Sequence, residues 1–133
     1  AIKEASGDLD QVSKIRATTP SDFKIYSGDD SLTLPLLAVG GTGVVSVASH
    51  LVGLELQEMI TNFKSGNLEK AQQLHLKLFP LFRALFLSTN PIPVKTALKL
   101  QGWNIGALRS PLSELSPELE TQLKDILTQL SLL

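Results

Sequence analysis

The chain has no cysteine, and only one methionine, one tryptophan and one tyrosine among its 133 residues. Without thiols there is no disulfide framework and no thiolate metal site, which is compatible with a reducing compartment; a cytoplasmic location is the matching expectation. No run approaches the roughly 18 consecutive apolar residues of a membrane span. Nor does the N-terminus show a basic segment followed by an apolar one, so a secretory leader is not expected. The formal net charge is only -1, which offers no electrostatic attraction for nucleic acid or an anionic membrane. His50 and His75 lie far apart and lack acidic neighbours at ligand spacing, so no metal site is expected. Internal repeats and low-complexity stretches are also missing. What remains, 43% hydrophobic and 19% charged, is the composition of a globular chain.

Two kinds of pattern occupy the two halves. The first half alternates strand-like runs with helical ones. Ala1-Ile2-Lys3-Glu4-Ala5-Ser6-Gly7 reads as a short buried strand and a glycine turn. Leu9, Val12 and Ile15 then mark a helix with an acidic first turn and Pro20 beyond its end. Phe23–Ser27 reads as a second strand, and Ser31–Val39 as a short helix stopped by Gly40-Gly41. Gly43–Ala48 reads as a third strand, its valines suited to burial on both faces. This order predicts parallel strands with crossover helices.

The second half is helical throughout. One helix carries Leu51, Leu54, Met59, Ile60 and Phe63 and closes at Gly66. Asn67 caps the next, whose apolar face is Leu68, Ala71, Leu74, Leu78, Phe82, Leu85 and Phe86, with a distortion expected at Pro80. A third runs from about Val94 to Leu100. The last opens at Ser116-Pro117-Glu118 and repeats apolar residues at Leu119, Leu123, Ile126, Leu127 and Leu130. Three parallel strands cannot close a barrel and leave open edges, so a missing N-terminal part or an oligomer is expected to cover them.

Few residues offer chemistry. Lys3 at the end of a strand could, if desolvated, act as a free amine that attacks a carbonyl; by position alone it is more often a surface lysine. Gly28-Asp29-Asp30 follows a strand, where α/β folds place backbone against ligands, although helix capping is the better reading of the two aspartates. Gly40-Gly41-Thr42-Gly43 has the glycines of a phosphate loop in the wrong context, after a helix and before a strand. Val45 could line a pocket or simply belong to the core. Trp103 and Arg109 are assigned to packing or an interface.

Five segments in order resemble the C-terminal part of the dihydrodipicolinate synthase family, within the pyruvate-dependent, Schiff-base-forming aldolases. They are Ile2-Lys3-Glu4-Ala5-Ser6-Gly7, Tyr26-Ser27-Gly28-Asp29-Asp30, Gly43-Val44-Val45-Ser46-Val47, Asn90-Pro91-Ile92-Pro93-Val94-Lys95 and Leu108-Arg109-Ser110-Pro111-Leu112. The resemblance implies an α/β fold, the C-terminal part of a TIM (β/α)8 barrel followed by a helical region. Residues 1–66 would supply barrel strands six to eight with their helices, and residues 67–133 the helical region. Lys3 matches the lysine that forms an imine with pyruvate, and Gly28 and Val45 match positions lining the pyruvate pocket.

The resemblance further implies pyruvate and aspartate semialdehyde as substrates. No metal or organic cofactor is implied, because the protonated imine is itself the electron sink. The implied partners are the N-terminal half of the barrel and further copies, a homotetramer being usual in the family. Proton-relay and carboxylate-binding residues belong to that other half, and Tyr26 does not occupy a relay position. The 133 residues alone are therefore expected to be inactive. The alternatives are a sister aldolase, such as N-acetylneuraminate lyase or a keto-deoxy sugar acid aldolase, and a non-catalytic oligomerising scaffold.

Overall fold

The computed structural model describes residues 1–133. Three parallel strands, β1 (Ile2–Glu4), β2 (Ile25–Ser27) and β3 (Gly43–Val44), form one sheet in the order β1-β2-β3. Helix α1 (Leu9–Thr18) joins β1 to β2, and a 3-10 turn (Asp30–Leu32) with α2 (Thr33–Ala38) joins β2 to β3. Four helices follow: α3 (Ser49–Lys64), α4 (Leu68–Ala84), α5 (Ile92–Leu100) and α6 (Pro117–Gln129).

The helix ends form where their capping residues stand. Asp8 accepts from the amides of Asp10 and Gln11 at the start of α1. Asn67 and Ser116 do the same for Lys70 in α4 and Leu119 in α6. Gly66, at φ +85°, ends the α3 region in the left-handed conformation that glycine adopts without a Cβ penalty. Helix α4 runs on through Pro80, and the break falls instead in α3, at Val52 (φ -132°, ψ 39°).

The strands are shorter than their sequence runs. Lys3 pairs with Tyr26 and Tyr26 with Gly43; Glu4 pairs with Ser27 and Ser27 with Val44. Because strand side chains alternate, Glu4, Ile25 and Ser27 share one face, while Lys3, Tyr26, Gly28 and Val45 share the other. Helices cover the first face, where Glu4, Ile25 and Ser27 are all buried. On the second, Lys3 is exposed and Val45 is 49% exposed. The expected strand buried on both faces is thus corrected: in this chain one face of the sheet is open. The expected buried first strand is corrected likewise, since Ile2 is 37% exposed and only Glu4 of its residues is buried.

Two cores hold the chain together. A small one, Val12, Ile25 and Leu36, sits between the sheet and its helices. A large one gathers Val52, Leu56 and Met59 of α3, Leu74, Leu78, Leu81 and Phe82 of α4, and Leu123 and Leu127 of α6. Leu68 and Phe86, expected on the buried face of α4, are exposed instead.

Candidate active site

Lys3 is the middle residue of β1, and its side chain leaves the sheet on the open face. Gly28 stands one residue beyond the end of β2, on that same face. Its amide donates to the carbonyl of Glu4 at 2.6 Å, extending the β1–β2 ladder past the strand ends. A Cβ at Gly28 would lie 2.8 Å from Lys3 Cε and 2.6 Å from the Cβ of Ala5, closer than any real contact allows. The lysine stem therefore crosses the glycine backbone, and only a residue without a side chain fits there. Val45 stands one residue past β3, its amide donating to the carbonyl of Ser27 at 2.8 Å. The structure thus brings Lys3, Gly28 and Val45, the three site residues expected from the sequence, to one end of one open sheet face.

Two buried carboxylates, Glu4 on the helix-covered face and Asp30 beyond the end of β2, were not singled out from the sequence as anchors of this site. Glu4 is 6% exposed, and its Oε1 accepts from the amide of Ser6 at 2.8 Å and from Gln11 Nε2 at 2.9 Å, holding the loop after β1 onto α1. Its signal was the alternation itself, which sets Glu4 on the helix side of the strand next to the outward Lys3. Asp30 is 1% exposed, and its Oδ2 accepts from the amides of Val47 and Ala48 at 3.0 and 2.9 Å. Capping as read from the sequence holds for Asp29, which accepts from the amide of Ser31 at 2.8 Å. It is corrected for Asp30, which serves amides just ahead of α3 rather than its own helix. Those two bonds also explain why β3 stops early, since they draw the Val47 and Ala48 backbone out of the ladder.

Lys3, with bare glycine backbone against it near the C-terminal ends of parallel strands, stands where α/β barrels place their active sites. The chain belongs to the Dihydrodipicolinate synthetase family, which it matches over residues 1–130. The 4-hydroxy-tetrahydrodipicolinate synthase of Synechocystis sp. is 63% identical over 133 residues, the whole of this chain and 44% of that protein. That of Nostoc punctiforme is 60% identical over 132 residues, 99% of this chain and 45% of the relative. A solved dihydrodipicolinate synthase from Cyanidioschyzon merolae with lysine bound superposes with a TM-score of 0.96 at 52% identity, over 98% of this chain and 44% of that one. The chloride-inhibited enzyme from Acinetobacter baumannii, complexed with pyruvate, gives 0.92 at 28% identity, over 99% of this chain and 45% of that one. The chain thus spans less than half the length of the relatives it matches, and its three strands and helices are the C-terminal part of their TIM barrel and helical extension. No helix is long and apolar enough to cross a membrane.

Proposed function

We propose that this chain is the lysine-bearing C-terminal part of a 4-hydroxy-tetrahydrodipicolinate synthase, which condenses pyruvate with aspartate 4-semialdehyde in lysine biosynthesis. Lys3 is the nucleophile. Its neutral amine attacks the pyruvate carbonyl, a C=N bond forms, and the carbonyl oxygen leaves as water. The protonated imine draws electrons from the adjacent methyl carbon, which loses a proton to give an enamine. That carbon attacks the aldehyde of the second substrate; a C–C bond forms and the aldehyde oxygen becomes a hydroxyl. The amino group of the second substrate then attacks the imine carbon and displaces the Lys3 amine, which closes the ring and frees the enzyme. Gly28 leaves pyruvate room against the backbone beside Lys3, and Val45 forms an apolar wall of the pocket.

The observation that carries this reading is the close crossing of Lys3 over Gly28 on the uncovered sheet face. That face and the free edges of β1 and β3 would be covered by the remaining barrel strands, so the chain works as part of a longer protein and is inactive alone. Assembly into a homo-oligomer, a tetramer by family habit, has its own support. Helix α4 leaves Leu68 and Leu76 exposed in a groove with Leu34 and Pro35 of α2, on the helix-bearing side of the sheet rather than on the open face that the rest of the barrel would cover.

The test is to incubate the full-length protein with pyruvate, reduce with borohydride and map the adduct by peptide mass spectrometry. The expected result is one reduced pyruvyl group on Lys3, with product formation from aspartate semialdehyde and none from sialic acid or keto-deoxy sugar acids. Unmodified Lys3 after reduction sinks the assignment.

A further inference from the structure

Asp30 is a carboxylate buried to 1% exposure, yet the imine chemistry has no step for it. One oxygen, Oδ2, holds two backbone amides 17 and 18 residues away, those of Val47 and Ala48. The other, Oδ1, is buried without a hydrogen-bond partner. Burying a carboxylate is costly, so a buried one with a half-satisfied head points to a demand on where its other half goes.

The demand is visible in what the two loops carry. Asp30 stands two residues after Gly28, and its segment is locked from within: Ser27 Oγ accepts from the amide of Asp29 at 3.1 Å and donates to the Asp29 carbonyl at 2.6 Å. Val47 stands two residues after Val45. The amide of Val45 already donates to the Ser27 carbonyl, so Asp30 adds a second fixing point on the far side of Val45. Val45 is thereby pinned at both ends to the same segment that holds Gly28 against Lys3. Each bond to a carboxylate is charge-assisted, roughly twice as strong as a neutral one, so the pinning is firm.

We propose that Asp30 is a positioning residue of the pyruvate pocket: it rivets the loop after β3 to the loop after β2 and so sets how far Val45 stands from Lys3. It touches no substrate and acts through Val45. The kinetic half of this proposal rests on the function assigned above; the rivet itself does not.

The test uses the full-length protein with Asp30→Ala and Asp30→Asn, read by kinetics and by amide hydrogen exchange. Asp30→Ala is expected to raise KM for pyruvate roughly tenfold, the size of a lost hydrogen bond to a charged group, with kcat changed far less. Asp30→Asn keeps one oxygen to accept the two amides and is expected to recover most of that loss. In both variants the Val47 and Ala48 amides exchange faster than in the wild type, in Asp30→Ala most of all. A lowered Tm with unchanged KM would mean that Asp30 only stabilises the fold, and overturns the positioning role. If Asp30→Ala does not fold, Asp30→Asn decides: a KM still raised about two- to threefold beside faster exchange at Val47 and Ala48 supports the proposal, and either unchanged exchange or faster exchange with a KM indistinguishable from wild type overturns it. Exchange separates this proposal from the functional one. Faster exchange of the two amides without any pyruvate adduct on wild-type Lys3 keeps the rivet and removes the assigned reaction; unchanged exchange removes the rivet.

Discussion

The sheet and the helices behind it are packed to different degrees, and the candidate site stands in the poorer part. Around the strands only Val12, Ile25 and Leu36 form a buried cluster, whereas the helical core gathers 17 buried residues. Helix α3 belongs to the larger core, although it follows the last strand directly, so the helical region is built onto the barrel rather than beside it. A face that must admit substrate cannot be filled with its own side chains. Lys3, Gly28 and Val45 stand on the face that the chain leaves open, and rigidity there comes from buried carboxylates and backbone bonds instead. The candidate site thus stands where packing is thin, tied by Glu4 to α1 and by Asp30 to Ala48 at the margin of the larger core.

The comparison breaks most sharply at Lys3. Lys3→Ala in the full-length protein should abolish the borohydride-trapped adduct and lower kcat/KM by roughly three orders of magnitude or more, because no other group supplies the imine nitrogen. Its Tm should change by far less than its activity, since Lys3 makes no ion pair within this chain and points away from both of its cores. A large fall in Tm would show that Lys3 is structural. The converse holds in the helical core. Phe82→Ala should cost about 3–5 kcal/mol in urea unfolding, with the Lys3 adduct still formed wherever the protein is folded. Val12→Ala in the small core removes less buried volume and should cost about 2 kcal/mol. Equal costs would erase the contrast between the two cores.

Gly28→Ala tests the site at the level of geometry. The added methyl meets Ala5 and Lys3 at once, and the flexible lysine is the group that can move. Displacing a nucleophile by about an ångström can cost on the order of a hundredfold in rate, so kcat/KM should fall by about that much, and the urea midpoint should fall as well because the Ala5 Cβ cannot give way without its backbone. An active Gly28→Ala enzyme would mean that the lysine does not cross the glycine during turnover.

These elements were not equally legible in the sequence. The helices were, because their signals are local: Asp8, Asn67 and Ser116 cap, Gly66 stops, and the apolar spacing of α6 needs no partner. The strands were legible in order but not in length or burial. The valine run of β3 has the propensity to continue, yet a carboxylate 17 residues earlier takes its amides, and propensity carries no sign of that long-range claim. The site residues were nameable from family segments, but the crossing of Lys3 over Gly28 needs the register of β1 on β2, which no spacing in one chain states. Leu68 and Phe86 were misread as core because helical periodicity says which residues share a stripe, not whether anything lies over its ends.

The smallest expected effect lies on that stripe. His75 faces the groove formed by Leu34, Pro35, Phe63 and Leu76, its ring 6.0 and 6.1 Å from those of Phe79 and Phe82, and its Nδ1 is buried without a partner. Burial pushes the imidazole below its ordinary pKa, since the charged form loses water and gains no acceptor. Below the unfolded value of about 6.5 the unfolded chain therefore binds more protons than the folded one, and stability falls as pH falls. The loss begins as pH drops through about 6.5 and levels off once the folded-state pKa is passed. Glu69 on the same groove wall would offset part of it if its carboxylate swung toward the ring. Tm measured from pH 7.5 to 5 should therefore decline less steeply in His75→Gln than in wild type, with the two proteins parallel above neutral pH. Equal slopes would mean that the groove stays wet around the imidazole, and that the helical side is less tightly closed there than its core.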